Sequence, residues 1–155
     1  MPEARWLLMA SSATIKKLER TPESIDDLTD KNHYCTYYPC TISFFTTGDA
    51  QSLVALSGVD TLECSTVVDG ELGIVKPASI AKILAQLAKL DLATIEKQVE
   101  AAKPKQLAKQ GVDDFDMLEG GGEPRPKLVV SEIERLIAFY KLAAKKKTGV
   151  VMYTS

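Results

Sequence analysis

The amino-acid sequence predicts an α+β fold. It reads as a single compact domain over residues 1–155, with a mixed sheet that includes the N- and C-terminal strands and is packed by amphipathic helices. Two observations at the ends of the chain predict it. Near the C-terminus, Ile133, Leu136, Ile137 and Tyr140 recur at helical spacing and lead through a basic turn into the β-branched run Val150–Thr154. At the N-terminus, Arg5–Ala10 is short and apolar and reads as a buried strand. Between them, glycine-bounded strand pieces alternate with helical apolar stripes, a third sign of one packed core.

Composition sets the limits. A chain of 155 residues suits one domain and can bury roughly two thirds of the surface its unfolded form exposes, so no disulfide or metal staple is required. With 19 basic and 21 acidic residues, the net charge of −2 leaves no electrostatic footprint for nucleic acid. No apolar run reaches the ~18 residues that span a bilayer, and Met1–Ala10 is too short and too acidic at its start for a secretory signal. These features predict a cytoplasmic protein with no membrane and no nucleic-acid partner. Three cysteines, Cys35, Cys40 and Cys64, form an odd set without a disulfide framework. Cys35 and Cys40 have a permissible zinc half-site spacing but no second pair, so reduced, partly buried thiols are expected, with no metal and no cofactor.

The elements follow in order. Ser11 or Ser12 caps a helix running to about Arg20, with Ile15 and Leu18 facing inward. Thr21-Pro22 opens a short second helix whose buried side is Ile25 and Leu28. Tyr34, Tyr37 and Tyr38 favour strand by propensity, whereas Pro39 permits a helix start and Gly48 a helix stop; the reading taken is a short helix from Pro39 to Thr47. Thr66–Val68 and Gly73–Val75 read as strand pieces around the turn signal Asp69-Gly70. Pro77 opens a helix with Ile80, Ile83, Leu84 and Leu87 on its apolar face. Asp91 recaps the chain for a helix with Leu92, Ile95 and Val99, which Pro104 terminates. Residues 103–127 read as a flexible acidic, glycine-rich surface segment anchored by Phe115, Met117 and Leu118. Ser131 and Glu134 match a capping box for the last helix, Ala144 completes its buried stripe, Lys145–Lys147 complement its dipole and Gly149 ends it.

This pattern resembles the YfbM-like family, small bacterial proteins carrying a domain of unknown function. The resemblance lies in Gly73–Leu87, a glycine then a proline then an amphipathic helix, and in Leu136–Tyr153, where Phe139-Tyr140, a double alanine and a basic turn precede a closing strand. Phe115-Asp116 is similar to a recurrent pair of that family. The resemblance implies a compact α+β fold without an established activity. It also implies an immunity role, because some relatives are standalone partners encoded beside secreted toxins.

No catalytic grammar emerges. His33 is the only histidine and reads as an exposed loop residue. Asp113-Asp114-Phe115-Asp116 lacks the register of a calcium loop, and Gly120–Gly122 lacks the context of a phosphate cradle. The expectation is a non-enzymatic protein-binding module. Its contact residues would be Asp113, Asp114, Asp116, Glu119 and Glu123 facing a basic surface, with Tyr37 and Tyr38 supplying adaptable aromatic contact. The competing expectation is a small enzyme or ligand binder with a pocket around residues 33–64, lined by Tyr34, Cys35, Tyr37, Cys40 and Cys64.

Overall fold

A computed structural model describes residues 3–28, 32–118 and 122–155. After Arg5, strand β1 (Arg5–Ala10) is apolar because both its faces are covered. Leu7 and Met9 enter one core, while Leu8 and Ala10 enter another on the opposite face. The sheet adds β2 (His33–Thr36), β3 (Asp60–Glu63), β4 (Glu71–Val75) and β5 (Gly149–Thr154), in the spatial order β2-β1-β5-β4-β3. Every pairing is antiparallel, so the sheet is not mixed. Strand direction depends on how the helices return the chain, which local sequence does not encode. The two terminal strands do belong to it and pair from Arg5↔Thr154 to Ala10↔Gly149.

On one face, α1 (Ser12–Arg20) follows β1 directly. Ser11 caps it by accepting from the Thr14 N–H at 3.1 Å. Ile15 and Leu18 then pack with Ile25 of the 3₁₀ turn Pro22–Asp27 against Leu8, Ile74 and Val151. The other face carries α2 (Pro39–Thr47), α3 (Val54–Ser57), α4 (Ile80–Ala88), α5 (Leu92–Ala101), α6 (Pro104–Lys109) and α7 (Arg125–Lys146). Pro39 opens α2, and Gly48, left-handed at φ 85°, closes it. Ile80, Ile83 and Leu87 of α4 are buried, as are Ile95 and Val99 of α5. Asp91 caps α5 through the Thr94 N–H.

Several local expectations need correction. Thr66–Val68 lies in the loop between β3 and β4, and Val68 is exposed. The strand is Asp60–Glu63, an edge strand whose mostly exposed residues carry little apolar signal. His33–Thr36 forms β2 ahead of α2. Pro104 ends α5 but also opens α6, a position where its missing N–H costs nothing. Thus the 103–127 segment holds a helix, a 3₁₀ turn at Phe115–Leu118 and the start of α7. That start comes six residues before Ser131, so Ser131 and Glu134 sit inside the helix and form no capping box. Burial of Val129 favours the early start, and Pro126 is tolerated in the first turn. Ala143 is buried and Ala144 exposed. Lys147, left-handed at φ 57°, ends α7. Gly149 instead begins β5, where an added Cβ would meet the Val75 carbonyl oxygen and come within 2.6 Å of Ile15 Cδ1.

Candidate functional site

The acidic segment and the tyrosines meet through one buried side chain. Helix α2 begins after Tyr38, which supplies no side-chain cap. Asp114 supplies it from far along the chain: its Oδ2 accepts from the Cys40 N–H at 2.8 Å, and its Oδ1 from the Thr41 N–H at 2.9 Å and the Thr41 hydroxyl at 2.5 Å. A carboxylate at the positive end of a helix is well placed. Burial nevertheless raises the Asp114 pKa above the ordinary carboxyl value; the Thr41 and Cys40 hydrogen bonds pull it down and the Asp113 charge adds to the rise.

Asp114 is therefore withdrawn from the contact surface that its sequence neighbours suggested. Asp113 and Asp116 are exposed, and Asp116 lies 3.7 Å from Arg125 Nη2. The Arg125 guanidinium stacks over Phe115 at 4.7 Å, tying the segment to the start of α7. Glu123 is exposed, Tyr37 is exposed and Tyr38 is half-buried. Glu119 lies outside the described residues. Met117, expected as an anchor, faces solvent, while Phe115 and Leu118 are buried. The Asp114 cap thus ties this segment to the start of α2, next in sequence to Tyr37 and Tyr38.

The thiols do not assemble a pocket. Tyr34 belongs to the core under α7 and Cys64 to the core under α1, so the sheet separates them. Cys35 faces the α1 side with Trp6, its cross-strand partner. Burial raises the Cys35 thiol and pushes Cys40 up to about 12, where Asp114 and Asp113 add to the effect. Both shifts oppose a thiolate at neutral pH. His33 sits exposed on β2, with its ring 5.3 Å from that of Trp6. Among the described residues, Cys40, Asp113 and Asp114 place possible metal-ligand atoms within 4.8 Å of one another. Asp114 already accepts three hydrogen bonds there, beside the positive end of α2.

Arg5 escaped the sequence reading, and its only signal was a charge at the end of an apolar strand. Its side chain is 13% exposed. Nε donates to the Leu56 carbonyl at 2.8 Å, and Nη1 donates to Asp69 Oδ2 at 3.1 Å and Thr154 Oγ1 at 2.9 Å. Burial lowers its pKa, while Asp69 opposes the shift. Arg5 and Asp69 line a cleft of about 440 Å³, to which Pro39 and Cys40 at the start of α2 also contribute. A shallower groove of about 820 Å³ runs between α2 and the α5–α6 corner, over Phe44, Phe45 and Leu107.

These features define a small α+β domain, with a five-stranded antiparallel sheet sheathed by helices on both faces. The chain belongs to the domain of unknown function family DUF1877, which matches residues 7–153. It is similar to YfbM from Escherichia coli, a protein of unknown function. That crystal structure superposes with a TM-score of 0.74 over 98% of this chain and 99% of its own, at 19% identity. At that identity the likeness concerns the fold. Curated proteins gave no match. No described helix is long and apolar enough to cross a membrane.

Proposed function

We propose that this protein is a non-enzymatic protein-binding module whose contact surface comprises Tyr37, Tyr38, Asp113, Asp116 and Glu123. One observation supports the reading: the Asp114 cap fixes the acidic segment against the start of α2, next in sequence to Tyr37 and Tyr38, and in this reading the two stretches form one contact face. The face is prearranged, which reduces the entropy lost on binding. Its acids suit a basic partner surface and would speed encounter, while the tyrosines supply contact area. In its narrowest form the reading is a bacterial immunity protein that neutralises a cognate secreted toxin by direct binding.

The test is co-expression with the product of the adjacent gene, followed by measurement of association rates. Reversing Asp113, Asp116 and Glu123 to lysine should slow association about tenfold or more and invert its salt dependence, with the thermal midpoint little changed. Absence of a complex, or unchanged kinetics in the reversed variant, would reject the assignment.

A further inference from the structure

We propose that the cleft between β1, α2 and the β3–β4 loop binds a free α-amino acid with an apolar side chain. The inference does not rest on the partner-binding reading.

The cleft is built around a half-used ion pair. Arg5 spends Nε on the Leu56 carbonyl and Nη1 on Asp69 Oδ2 and Thr154 Oγ1. Its Nη2 has no hydrogen-bond partner among the described residues. Among the described residues Asp69 likewise uses only Oδ2, which accepts from Arg5 and from the Thr154 hydroxyl at 3.0 Å, and Oδ1 has no hydrogen-bond partner there. The pair thus leaves one cationic donor and one anionic acceptor, both on residues lining the same cavity. Glu3 adds a second acid to the rim, and Pro39, Leu53 and Leu56 contribute apolar lining, the two leucines with less than a tenth of their surface exposed. The volume of about 440 Å³ falls within the range of small-ligand sites.

Charge narrows the ligand class. A phosphate or sulfate would meet Arg5 together with two carboxylates, a net repulsion. A simple amine would satisfy Asp69 and leave the Arg5 donor unused beside a like charge. A ligand bearing a carboxylate next to an ammonium answers both: its carboxylate accepts from Arg5 Nη2, and its ammonium donates to Asp69 Oδ1 and Glu3. An apolar side chain then lies along Leu53 and Leu56. Both polar contacts are charge-assisted, and Arg5 is largely shielded from water, which strengthens its share.

Calorimetric titration of the intact chain tests this with three probes: L-leucine, N-acetyl-L-leucine without the ammonium, and L-leucinamide without the carboxylate. Leucine should bind at one saturable site, and each blocked compound should bind about tenfold more weakly or worse, the scale of one lost charge-assisted contact. Asp69→Asn alters a partly exposed side chain and should weaken leucine by a similar factor without weakening N-acetyl-leucine, which has no ammonium for Asp69 to hold; its thermal midpoint verifies folding. Gln51→Trp, at the exposed rim, should block the cleft. Three results would overturn the proposal: no leucine binding up to about 10 mM, where a millimolar site is largely filled; equal binding of all three probes; or unchanged leucine affinity in folded Asp69→Asn.

Discussion

At the scale of single residues, Asp114 has the widest reach. Replacing it with asparagine leaves one acceptor oxygen where two served three donors, and the buried N–H groups of Cys40 and Thr41 compete for it. Asp114→Asn should destabilise the fold by about 1.5–3 kcal/mol, the scale of hydrogen bonds to a charged group, as measured by urea unfolding. The pH dependence has a definite sign. Because burial raises the folded-state pKa, the native protein holds this proton more tightly than the unfolded chain. That contribution is fully present below the ordinary carboxyl range and is lost as pH rises through the folded value. Urea titrations across that window should show the loss in the native sequence and a flatter profile in Asp114→Asn. The sequence made Asp113, Asp114 and Asp116 look alike, because burial of one among three neighbours depends on a helix start more than 70 residues away. Arg5 was illegible for the same reason, since its partners Leu56, Asp69 and Thr154 come from three remote segments.

At the scale of elements, helix stripes were the most readable feature. Ile80, Ile83 and Leu87, then Ile95 and Val99, lie on the buried faces that their spacing predicts. Helix ends were less readable. Ser131 and Glu134 satisfy the letter of a capping box, yet tertiary burial of Val129 carries the helix back to Arg125. Edge strand β3 was missed because a strand with little burial needs no apolar alternation. The end of α7 yields a prediction of its own. Lys147 holds a left-handed conformation that costs an L-residue about 1–2 kcal/mol, while glycine adopts it freely but loses more chain entropy on folding. Lys147→Gly should therefore stabilise the protein by about 0.5–1 kcal/mol, visible as a rise in thermal midpoint.

At the scale of the molecule, the fold class was legible from the two terminal apolar runs, whereas strand order and direction were not. They arise from how the helices return the chain across two faces of one sheet. The outcome places β5 between β1 and β4, so the element nearest the C-terminus joins the two halves of the sheet. Removing residues 149–155 should abolish cooperative unfolding in calorimetry and expose apolar surface to a hydrophobic dye, since Leu7, Met9 and Val75 would lose their central neighbour. A chain interrupted between Val75 and Gly149 would hold β1 with β2, and β3 with β4, as two unmated ribbons whose bare edges invite chaperones, proteases or one another. The late arrival of the middle strand thus ties closure of the sheet to the synthesis of Gly149–Thr154.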